Sequence, residues 1–505
     1  MMKFNFYSNS LFVLHKFSLI QSFLLLIATF MLCLHSIIIP SWANTATVSD
    51  NVVNVKVERT IDISTQLVKM SSQVVVLNKA ATPLKEYIIH FGDSRHDDTL
   101  SYLSVVLVDS GKKKRTLNVA KENSASSGKL FSFYKVDFAV NPIEPGKSAQ
   151  LEIEASFSHL LDPYPEEISQ SERQLVVYKG RTYFPTPYNT ETQSTRVRLS
   201  SSTGLESYTK VRQVAVNDRV INYGPFDKIP PTVDDTPLIN QDDELRVHVE
   251  NETPFLTTER LQRSIQVSHW AATVSVEEVL DVLHTGAKLK GPFSRYEYQR
   301  DPTTNGLSSI RSWKTRLPVG AHDIYYRDEI GNISTSNVRY TPSAVTVEIK
   351  PRFPLFGGWK TQYILGYTLP ATNSLFTVAG SSFASGEYVL KVPFVDHIYD
   401  NMIIDEATVR IILPEGSSNF RLTLPYNIKR EPNELYHSYL DTVGRPVIVL
   451  TKRNLVEWHI QTVELRYSYK PFYLLQEPLL VVGSIFALCL LVIGLVRTKT
   501  TLDGK

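Results

Sequence analysis

The sequence predicts a mainly β protein: two tandem β-sandwich-like lumenal domains followed by a single C-terminal transmembrane helix in type I orientation. Three observations predict it. Apolar and polar residues alternate along many short stretches, turn-forming residues separate those stretches, and one uninterrupted apolar run stands near the C-terminus. The chain has 505 residues, enough for more than one domain. Lys+Arg number 53 and Asp+Glu 51, so no basic surface for nucleic acid is expected. A hydrophobic fraction of 43% and a charged fraction of 21% exclude wholesale disorder. A mean hydropathy of -0.12 excludes a multi-spanning membrane protein.

The ends come first. Lys3 and Lys16 precede an apolar stretch from Phe17 to Ile39, then Pro40 and the small-x-small site Ser41-Trp42-Ala43. Residues 1–43 read as a signal peptide cleaved after Ala43, with an uncleaved signal anchor as the alternative. At the other end Leu479 to Val496 is apolar and without charge. Residues 473–496 are expected to span the bilayer, leaving 497–505 as a short cytosolic tail in which Arg497, Lys499 and Lys505 set the orientation. Small residues Gly483, Ser484, Ala487 and Gly494 on that helix permit close packing against other helices. The two cysteines, Cys33 and Cys489, lie in these two apolar runs, so the region between them holds no disulfide and no thiolate chemistry.

Between the ends, Val53, Val55 and Val57 alternate with polar residues. So do Leu151, Ile153, Ala155 and Phe157; Val345, Val347 and Ile349; and Val463, Leu465, Tyr467 and Tyr469. This is the pattern of sheets with one buried face. Asn141-Pro142, Glu144-Pro145-Gly146, Asn305-Gly306 and Pro414-Glu415-Gly416 mark turns. The Pro- and Asp-rich segment from Lys228 to Asp243 reads as a linker, giving domains at 44–240 and 241–472. The halves resemble each other. Glu58 to Ser64 matches Gln262 to Ser268, Gln150 matches Gln362, and Asn189, Val197 and Arg198 match Asn401, Val409 and Arg410. Duplication explains the common order.

Candidate chemistry is sparse. His269, His284 and His397 stand alone in sequence, so metal binding is not expected. The acidic pairs Glu166-Glu167, Glu277-Glu278 and Asp328-Glu329 are adjacent residues, which point to opposite faces of a strand. Lys112 to Arg115 reads as a solvated hairpin tip. The aromatic runs Tyr183 to Tyr188 and Phe293 to Tyr298 suit strand packing better than a sugar-binding face. Two N-x-[ST] sequons, at Asn332 and Asn251, are candidate glycosylation sites. Pro254 after the second makes Asn332 the better acceptor.

Several long strings carry a resemblance. They are Leu160–Gly180, His284–Arg300, Ser308–Pro318, Tyr325–Ser336, Pro351–Tyr367, Tyr439–Val449 and Leu475–Val482. They closely resemble the ribophorin I family, subunit 1 of dolichyl-diphosphooligosaccharide–protein glycosyltransferase (oligosaccharyltransferase). The resemblance implies residence in the endoplasmic reticulum membrane and a non-catalytic place in a complex. That complex transfers a preassembled oligosaccharide from dolichyl diphosphate to Asn of N-x-[ST] in nascent chains. It implies no cofactor. The implied partners are the other subunits, including a multi-spanning catalytic one, together with nascent polypeptides and the lipid bilayer. It also implies tandem lumenal β domains and a glycan at the position of Asn332. Animal members continue after the span into a long cytosolic segment that meets the ribosome and translocon. Here the short tail resembles the fungal type, which leaves contact with the ribosome or the translocon open. The competing classes are a secretory-pathway carbohydrate-active enzyme and a cell-surface binding protein.

Overall fold

A computed structural model describes residues 51–498, apart from 93, 109–113, 127–128, 139–140, 202–203, 233–242, 301–305, 334–336, 379–385 and 439. Ala43 and the expected signal segment lie outside the described residues. So do Lys112, Lys113, most of the expected linker and the tail from 499 onward.

The alternating segments form strands, as β-branched residues with one buried face should. Nine of them carry the argument: β1 (Val52–Asp62), β2 (Val68–Asn78), β3 (Ser148–Phe157), β4 (Asn189–Arg198), β5 (Leu256–Ser268), β6 (Thr273–His284), β7 (Lys360–Pro370), β8 (Ile404–Ile412) and β9 (Arg445–Leu455). In the first half β4, β1, β2 and β3 are neighbours in an eight-stranded sheet, extended by Val220–Ile229 beside β4 and Leu100–Val108 beside β3. In the second half β8, β5, β6 and β7 are neighbours in the same order, extended by β9 beside β8 and His322–Asp328 beside β7. The pairs β1/β4 and β5/β8 are parallel, and their neighbours are antiparallel. Each half adds a four-stranded and a three-stranded sheet.

The duplication extends to detail. β1 bulges between Asn54 and Lys56, and β5 bulges at the equivalent place, between Thr258 and Arg260. Gln150 and Gln362 hold equivalent ladder positions, opposite Val75 and Asp281. The Val197/Val409 match is displaced. Val197 faces Ile61, but Ile265, the counterpart of Ile61, faces Ile411 rather than Val409. A two-residue shift keeps every side chain on its own face, so the core tolerates it. The first bulge also alters the expected alternation. Asn54 turns inward at 0% exposure, while Val55 is only half-buried. Thr186, Thr190 and Tyr87 satisfy the Asn54 amide.

Two hydrophobic cores result. One gathers residues from Val52 to Phe255, the other from Leu256 to Tyr469. Strand Glu244–Glu250, which follows the expected linker, pairs with Leu175–Arg181 and buries Leu245, Val247 and Val249 in the first core. From Val52 on, the chain is one unit by its contacts.

The second half stands end to end with the first. Leu256, His284, Ile404 and Leu455 share one end of its large sheet, and Ser268, Thr273, Pro370 and Ile412 share the other. The first end meets the first half. The other adjoins helix α1 (Gln476–Arg497). At 3.3 Å per residue the thirteen-residue β5 separates the two ends by about 40 Å. Helix α1 has 22 residues, or about 33 Å, and the segment Pro471–Arg497 is long and apolar enough to cross a membrane. Pro478 sits in its first turn, where its missing N–H costs no helical bond.

Candidate functional site

Four polar assemblies stand out: a buried arginine in each core, a joint between the halves, and a joint to helix α1. In the second core Arg263 of β5 is 1% exposed. Its Nη1 donates to Glu278 and to Asp396 Oδ2 (2.7 Å), and its Nη2 donates to the Tyr367 hydroxyl at 3.1 Å. The Tyr367 hydroxyl donates to Asp396 Oδ2 at 2.5 Å. Burial pushes the Glu278 carboxyl up to about 7, against the opposing pull of Arg263. Glu277, its neighbour in sequence, faces outward and meets Tyr325 and Arg327, as alternation requires.

Arg59 holds the equivalent position in the first core, 4% exposed. Its partners differ. Nη2 donates to the carbonyls of Arg181 (2.5 Å) and Thr182 (2.9 Å), and Nη1 to that of Tyr183 (3.3 Å). Ser72 stands opposite Arg59 where Glu278 stands opposite Arg263. Ala155 replaces Tyr367. These small residues leave a cavity of about 20 Å³ lined by Arg59, Met70, Ser72 and Ala155.

The joint between the halves has two contacts. On one side Glu167–Ile168 pairs in parallel with Lys288–Leu289, and the Gln170 amide exchanges hydrogen bonds with the backbone of Ser294. The Gln174 side chain accepts from Ala287 N–H (2.9 Å) and donates to the Asn251 carbonyl (2.8 Å). Apart from Asn251, these residues belong to two of the strings that carried the resemblance. On the other side Leu67 packs with Ile403 and Val456, and Tyr102 stacks on Trp458 with ring centroids 5.2 Å apart. Lys69 donates to the Asn401 side chain (2.8 Å), and Gln66 to the Asn401 carbonyl (2.7 Å).

Beside this contact the fold gathers residues that sequence reasoning kept apart. His397 Nε2 lies 3.2 Å from Asp400 and 3.6 Å from Glu457. All three could present ligand atoms to a cation. Arg316 donates to Asp400 (3.2 Å), and the N–H of Asn401 donates to Glu457 (2.6 Å), so these oxygens already have partners. The nearby His397 imidazole, with the Asn401 N–H, holds the Glu457 carboxyl below its usual range. No local signal foretold this cluster, because Glu457 arrives from a distant strand end.

At the membrane joint Arg445 bonds Asp441 through Nε (3.0 Å) and Glu477 through Nη2 (3.1 Å). Glu415 accepts from the N–H groups of Thr442 (2.9 Å), Val443 and Gly444 (3.2 Å). Burial would raise its carboxyl, but these donors outweigh that and hold it below its usual range. Gln476 donates to Glu415 (2.9 Å) and to the Thr442 hydroxyl (2.8 Å). The first turn of α1 is thus clamped to the loop before β9. Two further resemblance strings, Tyr439–Val449 and Leu475–Val482, meet here.

The expected site residues fall in different places. Asn332 is exposed beside a turn. Asn251 is 0% exposed; its amide donates to the Ile63 carbonyl (3.2 Å) and its oxygen accepts from the Thr253 hydroxyl (2.7 Å). In this fold its acceptor nitrogen is occupied inside the joint. Gly483, Ser484, Ala487 and Gly494 lie on the exposed surface of α1, and a Cβ added at Gly483 or Gly494 would meet nothing. Of the aromatic runs, Phe184 and Tyr188 are core residues, whereas Phe293 and Tyr298 pack with Phe356 and Trp359 at the edge of the joint.

Fold and joints together define an internally duplicated β protein with a C-terminal apolar helix, and with polar side chains that fix its parts against one another. The chain belongs to the ribophorin I family, whose sequence model matches residues 52–496. It is 36% identical to the dolichyl-diphosphooligosaccharide–protein glycosyltransferase subunit 1 of Caenorhabditis elegans, over 89% of this chain and 72% of that one. It is 37% identical to subunit 1A of Arabidopsis thaliana (86% and 68%), and 34% identical to subunit 1B of the same plant (86% and 90%). Among solved structures, an M1 zinc metallopeptidase from Deinococcus radiodurans overlaps 43% of this chain and 42% of its own, at 10% identity and a TM-score of 0.25, too slight to bear on fold or function.

Proposed function

We propose that this chain is a non-catalytic subunit of the oligosaccharyltransferase complex of the endoplasmic reticulum membrane, with its β domains in the lumen. The observation that carries the reading is the family match over residues 52–496, with relatives named as subunit 1 of that glycosyltransferase. In this role the second half is a pedestal. It is clamped to the helix at one end and bonded to the first half at the other, so the first half stands about 40 Å from the membrane joint. Such a body holds acceptor chains at a set height over a catalytic subunit. The stripe of Gly483, Ala487 and Gly494, with Ser484 beside it, packs against helices of neighbouring subunits. Asn332 carries a glycan.

The test is a mild-detergent pull-down of the tagged full chain, with partner identification and acceptor-peptide glycosylation by the eluate. Recovery of a multi-spanning catalytic subunit with transfer activity supports the reading. A chain recovered alone, or one that transfers or hydrolyses glycans without partners, overturns it.

A further inference from the structure

The clamp at the membrane joint has a consequence for the lipid surface. Gln476 precedes the apolar run by three residues, about 4.5 Å along the helix axis, so it lies at the boundary of the hydrocarbon layer. Thr442 is bonded to Gln476, and Arg445 to Glu477. The hairpin formed by Glu434–Tyr436 and β9 is therefore held at the depth of the helix entry.

Its side chains are arranged as water would not select. At the turn two carboxylates are drawn inward: the Asp441 carboxylate is fully buried on Arg445, and Glu415 is capped by three backbone N–H groups, while Glu434 stays exposed beside Arg410. The apolar groups turn outward. Val443 is 72% exposed and Leu435 63%. Beside them Trp270, on the β5–β6 turn, is 70% exposed, and Phe472, just before the helix, is 72% exposed. Trp270 lines a cleft of about 160 Å³ with Arg445, Tyr473 and Glu477, which places that turn on the same rim. A cluster of exposed apolar side chains around the helix entry signals a contact, and aromatic rings among aliphatic ones match the composition of a membrane interface.

We propose that this rim is a second membrane contact: Val443, Leu435, Trp270 and Phe472 seat in the headgroup layer of the bilayer that α1 crosses, so that the second half rests on lipid as well as hanging from its helix. The proposal rests on α1 being a membrane span, and its test separates the two. In a full chain with Cys33 and Cys489 replaced by Ser, a nitroxide is placed in turn at Val443→Cys, Leu488→Cys and Val216→Cys. The chain is reconstituted in phosphatidylcholine vesicles. Accessibility to oxygen and to a water-soluble nickel chelate is then measured. Leu488 reports the span itself, and Val216, in the first half, reports water.

The expected result is Val443 between the two, with oxygen favoured over nickel. Val443 matching Val216 while Leu488 stays oxygen-accessible overturns the seat and leaves the span intact. Val443 shielded from both reagents also overturns it, since that pattern marks cover by protein. Trp270 gives an independent reading. Lipid brominated high on the acyl chain should quench the part of the emission that Trp270→Phe removes. Undiminished emission from Trp270 in brominated lipid would count against the proposal.

Discussion

Arg59 and Arg263 occupy the same position in the two halves, yet only Arg263 meets carboxylates there. Duplication placed one arginine in each core, and divergence gave each a different set of partners. Removing them should have unequal effects. Arg263→Met leaves Glu278 and Asp396 buried without a cation and should cost roughly 3–5 kcal/mol. Arg59→Met removes a donor from three carbonyls, of which Thr182 keeps Gln193 and Thr195, a loss of about 1–3 kcal/mol. Denaturant unfolding of the full chain in detergent measures both. Equal losses would refute the distinction.

Glu278 makes stability depend on pH. Its carboxyl is raised from 4.5 to about 7 in the fold. The native chain therefore binds more protons than the unfolded chain between those values. Stability falls as pH rises through that window, and the loss is complete above it. Glu278→Gln keeps an acceptor for Arg263 and leaves Asp396 as its counter-ion. The variant should be about 1–3 kcal/mol more stable than the parent at pH 8, with the difference vanishing below pH 4.5. Parallel pH series on the two chains check this, and a difference that does not change with pH would contradict it.

Arg445 ties the loop before β9 to the membrane helix. Arg445→Met strips the buried Asp441 of its cation and breaks the bond to Glu477. The expected cost is roughly 2–4 kcal/mol, felt locally as release of the helix entry. Limited proteolysis of the reconstituted chain should then cut between Lys470 and Gln476 faster than in the parent. Unchanged cleavage would show that the clamp does not restrain this segment.

The two sequons should behave oppositely. In cells, Asn332→Gln should remove one glycan and leave stability unchanged. Asn251→Gln should change no glycan but lower stability by about 1–2 kcal/mol, because the longer side chain misplaces the bonds to Ile63 and Thr253. Gel mobility before and after glycosidase treatment, with thermal unfolding, separates the two.

Much of this was legible in the residues. Period-2 alternation marked the strands, and the apolar run marked α1. The repeated strings pointed to duplication, which the equivalent bulges after Asn54 and Thr258 place in register. Even the arginines left a trace: Arg59 lies between Val57 and Ile61, and Arg263 between Leu261 and Ile265, both in the inward phase of their strands. Alternation says that a side chain faces in. It says nothing about what waits there.

The sequence by itself therefore determined the elements, their faces, the repeat and the anchor, because these depend on residues a few positions apart. Only the tertiary structure decided that Arg263 meets Asp396, that Gln174 holds Asn251 at the joint, and that Arg445 grips Glu477. It also decided that Asn251 is buried while Asn332 is not. Such contacts join residues brought together by strand order and register, and short bonds between charges are fixed by where the sheets end, which no local pattern records.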